Sequence, residues 1–78
     1  VETALRVDVE SRGGLCLKVV FPGVRGAPDR LVLLPDVAPF MVELKKPGKG
    51  LKEHQRRLHN RLRVLNMPVV GFDGQKII

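Results

Sequence analysis

Asp29, Glu43 and Lys45 are the residues of this chain whose types and spacing could do chemistry. Glu43 and Lys45 sit in the run Pro39–Lys46, PFMVELKK, in which Phe40, Met41, Val42 and Leu44 read as an apolar strand. Strand side chains alternate, so Glu43 and Lys45 share one face while Phe40, Val42 and Leu44 share the other. A buried-looking strand does not carry a carboxylate and an ammonium side by side on one face without a reason. If Asp29 is brought to Glu43, the two carboxylates repel, and one takes up a proton unless a cation lies between them. A hard divalent ion meets that need: Mg²⁺ accepts one or two carboxylates, waters and phosphate oxygens. The backbone carbonyl of Leu44 is a further oxygen ligand. Such an ion polarises a phosphate and makes a water more acidic. Lys45 beside it would orient the attacking water or stabilise the charge of the transition state. The chemistry implied is hydrolysis of phosphodiesters with Mg²⁺ or Mn²⁺.

For these groups to meet, the chain must build a hairpin. Arg30–Leu34, RLVLL, reads as one strand, Pro35–Pro39 as the turn and the run after it as the next strand. A hairpin centred on Val37 pairs Asp29 with Lys45 and Leu31 with Glu43, all on one face. A slip of a single residue would put Asp29 and Glu43 on opposite faces. Ahead of the hairpin, Val1, Leu5 and Val9 form a helical stripe that predicts a helix over Val1–Arg12, ended by Gly13-Gly14. Leu15–Phe21 reads as a strand, and Pro22–Pro28 as a Gly/Pro loop. After the hairpin, Leu51, Leu58, Leu62 and Leu65 line one face of a helix over Leu51–Leu65, with Gln55 inside the stripe and Asn66 as its C-terminal cap. Pro68–Phe72 reads as a last strand, and Asp73-Gly74 as a turn that leads Gln75–Ile78 back. The expected class is α/β, in the order α-β-β-β-α-β.

Composition narrows the partners. The chain has 78 residues, which allows a single domain over 1–78 with a small core, the kind that calls for a staple or a partner. Cys16 is the only cysteine, so there is no internal disulfide. It reads as a small core residue in a reducing cytoplasm, and cysteine and histidine together are too few for a structural zinc cluster. Self-association is the expected extra support. The formal net charge of +6 favours a polyanion. Eight of the fourteen lysines and arginines lie between Lys45 and Arg63, against Glu53 as the sole acid. A solvated helix mixes signs to gain i,i+4 pairs, and this one does not, so phosphate contact is the better reading. Lys46, Lys49, Lys52 and Arg56 are the candidate DNA contacts, with Lys18 and Arg30 from the strands. Lys18 reads equally as a guard on an edge strand. His54 and His59 lack the i,i+4 spacing of a helical metal pair and read as solvated or phosphate-facing. No apolar run approaches the ~20 residues of a membrane span, no signal segment opens the chain, and no feature calls for an organic cofactor.

Pro28-Asp29 followed by Glu43-Leu44-Lys45 resembles the PD-(D/E)xK nuclease signature. Further features sharpen the likeness: Glu2 in a leading helix, Gly13-Gly14 followed by Lys18, the stretch Gly26-x-Pro28-Asp29-Arg30, the run FMVELKKP, and Gln55 in the next helix. With these, nearly the whole chain resembles a stand-alone VRR-NUC domain, the virus-type replication-repair nuclease module. The resemblance implies a restriction-endonuclease-like core, a mixed sheet flanked by helices. It implies that Asp29 and Glu43, with the Leu44 carbonyl, hold the metal, and that Lys45 is the catalytic lysine. Gln55 would contact the nucleophilic water or the carboxylates, Glu2 would add a carboxylate at the edge of the site, and Lys18 would approach the scissile phosphate. Short viral members resemble homodimers that cut branched DNA such as four-way junctions, and versions in larger proteins resemble flap nucleases. With no appended domain in this chain, the homodimer is the expectation. Two alternatives stand beside it: a DNA-binding module of the same fold that hydrolyses nothing, and a sequence-specific cutter. Clustered carboxylates argue against the first, and the short chain against the second.

Overall fold

Val32 and Val42 are 0% and 2% exposed, and the residues that alternate with them face the other way, as strands over a core require. A computed structural model of the chain describes residues 2–74 and residue 77, with the side chain of Glu2 outside that description. The elements are α1 (Glu2–Ser11), β1 (Leu15–Lys18), β2 (Arg30–Leu34), β3 (Val37–Leu44), α2 (Glu53–Val64) and β4 (Val69–Phe72). The strands form one sheet in the order β1-β2-β3-β4. The first two pairings are antiparallel, and β4 runs parallel to β3. A parallel neighbour needs a long crossover, and α2 is that crossover. The sheet is therefore mixed and flanked by two helices, in the expected order.

The even-numbered strand residues face α1. Val9 packs with Val32 and Val42, and Leu5, Cys16, Leu34, Phe40, Leu44, Val70 and Phe72 close around them. Gly14 lets α1 end directly against β2, since a Cβ there would collide with the Leu33 carbonyl oxygen. The odd-numbered face belongs to α2. Met41, Glu43, Val69 and Gly71 are buried on it, and His59 of α2 lies against Glu43.

The ends of several elements differ from expectation, each for a local reason. β1 stops at Lys18 rather than Phe21. After one more backbone bond, from the Val19 N–H to the Asp29 carbonyl at 3.1 Å, the chain bends toward Pro22. β3 starts at Val37, so the hairpin turn is only Pro35-Asp36, with Leu34 paired to Val37. Pro39 thus lies inside the strand, next to the register shift between Val32 and Leu34, where a bulge spares the sheet its missing N–H. α2 begins at Glu53, two residues later than Leu51, because the Gln55 Oε1 accepts the Lys52 N–H at 2.9 Å and caps the helix there. Its other end comes at Val64, one residue before Leu65, with Asn66 closing it as expected. Asn66 takes φ 72°, and the Asn66 and Met67 N–H groups donate to the Arg63 and Leu62 carbonyls at 3.0 and 2.9 Å, a Schellman closure. Leu65 falls beyond the helix and is 63% exposed, so it does not join the buried stripe. Beyond β4, Ile77 bridges back to Phe72. The rest of the expected return, Gln75, Lys76 and Ile78, lies outside the described residues, as does Val1.

Candidate active site

The two-residue turn and the bulge together decide where Asp29 goes. β2 and β3 pair Arg30 with Val42 and Leu31 with Met41. One step further along the same register sets Asp29 opposite Glu43, not opposite Lys45 as a hairpin centred on Val37 would have it. The difference is an even number of residues, so Asp29, Glu43 and Lys45 keep their common face. Leu31 faces Met41 instead of Glu43. At the end of β3 the Asp29 Oδ1 accepts the Leu44 N–H at 3.3 Å. In an extended strand a residue's N–H and C=O leave toward the same neighbour, so the Leu44 carbonyl emerges on the Asp29 side.

The loop that carries Asp29 is pinned from behind. Pro28 is fully buried. Gly26 holds φ +88°, and a Cβ there would lie 2.9 Å from the His54 carbonyl oxygen and 3.1 Å from the Gln55 Cα. The loop therefore rests on the first turn of α2, and only glycine fits. The end of β3, the Pro28-Asp29 loop and the start of α2 meet at one edge of the sheet.

Electrostatics at that edge follow from the crowding. Glu43 is 6% exposed, and its pKa is pushed from 4.5 up to about 7, chiefly by burial, then by the negative charge of Asp29, with Lys45 pulling the other way. That Asp29 and Lys45 both act on Glu43 places the three groups together, as the sequence motif calls for. Behind Glu43, His59 is 0% exposed. Its Nε2 stands 3.7 Å from the Glu43 Oε1, and among the described residues neither of these two atoms has a hydrogen-bond partner. Burial, then the Arg63 charge, hold the imidazole pKa below its ordinary value, against a smaller opposing effect of the Gly26 backbone.

The donors at this edge suit a hard cation. Among the described residues no cluster of three or more His, Cys, Asp and Glu groups is placed to hold a metal. What converges is two carboxylates and a backbone carbonyl, an all-oxygen set that leaves positions for water and phosphate, as Mg²⁺ prefers and zinc does not. Glu43, its pKa pushed up by burial and by Asp29 and its Oε1 without a hydrogen-bond partner among the described residues, is the observation that fits: a cation would offset its repulsion from Asp29 and stabilise its charge.

Comparison with known proteins agrees with the geometry. No family model matches the chain. The chain is 42% identical over 77 residues to "Putative nuclease p44" of Acyrthosiphon pisum secondary endosymbiont phage 1, covering 99% of this chain and 83% of that protein. It superimposes on a solved structure described as "VRR_NUC domain" with a TM-score of 0.80 at 34% identity, over 90% of this chain and 76% of that one. The chain belongs to the VRR-NUC family.

As a VRR-NUC domain it is a nuclease, and the remaining candidate residues can be placed in that frame. Gln55 stands in the first turn of α2, against the Gly26 loop, with its Oε1 committed to the helix cap. Lys18 is exposed at the end of edge strand β1, paired with Arg30. By strand alternation it shares the α1 face with Cys16, opposite to Glu43, which fits the guard of an edge strand. Arg30 is corrected: it is 7% exposed and its Nη1 donates to the Asp29 carbonyl at 2.8 Å. It braces the Asp29 loop from within and does not stand out toward a phosphate. Lys46, Lys49 and Lys52 are exposed on the connection from β3 into α2, and Arg56 is exposed within α2, where its Nη1 lies 3.6 Å from the Glu53 Oε2. Glu2 opens α1, with its side chain outside the described residues.

His59 is the residue that sequence reasoning misplaced. The expectation of a solvated or phosphate-facing ring is overturned by its complete burial. The signal was present: His59 follows Gln55 by one helical turn and precedes Leu62 by nearly another, so it lies in the inward stripe. The exposed end of the leucine series, Leu65, drew the stripe to one side of its true centre.

Proposed function

We propose that this VRR-NUC domain is a Mg²⁺- or Mn²⁺-dependent endonuclease that hydrolyses phosphodiesters in branched DNA, four-way junctions in particular, as a homodimer in the cytoplasm of a phage-infected bacterium. The observation that carries the proposal is the convergence of Asp29 and Glu43 at one sheet edge, with Lys45 on the same face and Glu43 raised to about 7 by burial and by its neighbour.

In this reading Asp29, Glu43 and the Leu44 carbonyl hold the cation. A divalent cation so held supplies charge neutralisation at the phosphate and a more acidic water. The Lys45 ammonium orients that water or offsets the charge that develops on the phosphoryl oxygens. Lys46, Lys49, Lys52 and Arg56 hold the DNA backbone, which gives affinity and salt dependence without reading bases. Preference for branched DNA is then a matter of how two sites are spaced. Two sites related by a two-fold axis could cut both strands of a junction symmetrically. Leu15, Leu17 and Val20, 54%, 41% and 75% exposed along the edge strand and just beyond it, are in keeping with a second copy.

One assay tests this. Labelled linear duplex, flap and four-way-junction DNA are incubated with the protein in Mg²⁺, Mn²⁺ or EDTA. Metal-dependent cuts in the junction, abolished by Asp29→Ala and by Lys45→Ala, are expected. Binding without cutting would make the chain a non-catalytic module, and cuts at one sequence in linear duplex would make it a restriction-type enzyme. Sedimentation as a monomer at micromolar concentration would remove the paired cut.

A further inference from the structure

The completely buried imidazole of His59 faces the buried carboxylate of Glu43 across 3.7 Å, and among the described residues the two atoms that face each other, His59 Nε2 and Glu43 Oε1, have no hydrogen-bond partner, while the Gly26 backbone lies against the ring. Leaving a buried polar group unpaired costs ~1–3 kcal/mol, so a well-packed interior does not keep such a facing pair without use. An apolar side chain of similar size would fill the place beneath α2 at less cost. The two partners also divide the carboxylate. Oε1 is sealed from solvent, so the small exposed part of the Glu43 side chain lies away from His59. A contraction of less than one ångström, of the kind that closes a site around its ion, would turn the Nε2···Oε1 approach into a hydrogen bond of ordinary length.

We propose that His59 is a positioning residue for Glu43: its Nε2–H holds Oε1, so that the carboxylate is presented toward Asp29 and the cation. The proposal rests on the metal-dependent reading above. His59 does not ligate the cation. It fixes the rotamer of the side chain that does, as the outer partners of metal ligands do elsewhere. The rest of the fold supports that task. α2 is anchored at its start by the Gln55 cap and by the close approach of Gly26, and at its end by the Asn66 closure. Arg63 ties it to the neighbouring strand through two bonds from its guanidinium to the Val69 carbonyl, at 3.2 and 2.8 Å. The histidine is therefore mounted on a helix fixed at both ends, and its ring cannot follow a wandering carboxylate.

The test measures Mn²⁺ binding by calorimetry, without DNA, for the wild type, H59F, H59Q and H59N. The amide nitrogen of glutamine reaches nearly where Nε2 stands, and that of asparagine does not. H59F and H59N are expected to weaken Mn²⁺ about 10- to 100-fold, and H59Q to stay within a few-fold of the wild type. Nitrogen NMR of the wild type should show the ring protonated on Nε2, with that signal moving when Glu43 is changed to Gln. Equal Mn²⁺ affinity in the wild type, H59N and H59Q would overturn the inference, as would an Nδ1–H ring. If H59F does not fold, the Gln and Asn pair decides alone. Nitrogen coupling from an imidazole bound directly to Mn²⁺ in pulsed EPR would also overturn it, by making His59 a ligand. A wild type that takes up no Mn²⁺ at all would overturn the functional reading beneath it, which separates the two failures.

Discussion

Changing Glu43 to Gln should make this domain inactive and, above neutral pH, more stable. The magnitude follows from the raised pKa. A carboxyl that titrates at 4.5 in the unfolded chain and at about 7 in the folded one favours unfolding once both forms are ionised. The shift of about 2.5 units corresponds to about 3 kcal/mol. The sign is that of a group that binds more protons when folded: stability falls as pH rises from the unfolded pKa through the folded one. Most of the loss, about 2.5 kcal/mol, falls between pH 5 and pH 8. Glutamine carries no charge and escapes this loss. Urea unfolding of the wild type and E43Q in EDTA at pH 5 and pH 8 reads the effect directly. E43Q should gain on the wild type by about 2.5 kcal/mol between the two pH values. His59, whose folded pKa is depressed, contributes stability that is lost as pH falls, but it does so in both proteins and largely cancels in the difference. The same measurement in excess Mn²⁺ should reverse the order, because only the wild type gains binding energy. A stability difference between the two proteins that is the same at pH 5 and pH 8 would refute the reasoning, since Glu43 would then titrate at an ordinary value.

Further expectations follow from other parts of the site. Gly26→Ala should cost ~1–3 kcal/mol in urea unfolding, because the added Cβ meets the start of α2 at a backbone angle only glycine accepts. Lys45→Ala should cut turnover by ~10²-fold or more with binding of junction DNA little changed, since the loss concerns the transition state. Lys46→Ala and Lys49→Ala should each lower the slope of log affinity against log salt by ~0.9 for duplex arms. Arg30→Ala should leave that slope alone and instead lower the unfolding midpoint, as its guanidinium is an internal brace.

Much of this protein was legible in its residues because their periods are strong. Alternation in RLVLL and FMVEL set two strands, the i, i+4 stripe set α1, and a run of lysine and arginine with a single acid marked an exposed basic surface. The placement of Asp29 and Glu43 on one face also survived, since a shift by an even number of residues cannot change faces. Their direct opposition did not come from pattern. It needed a turn of two residues and a bulge beside Pro39, and both arise from pairing across the hairpin that no local window contains.

His59 and Arg30 show what only tertiary structure could decide. Each is a polar or charged residue in a polar neighbourhood of sequence, and composition assigns both to the surface. The sheet face beneath α2 and the carbonyl of Asp29 gave them interiors to occupy. Which residues can meet was written in side-chain chemistry and periodicity. Which face is sealed, and so which carboxylate is held near neutrality, depended on how a helix from one part of the chain settles over strands from another, because burial belongs to the assembled layers and not to any residue alone.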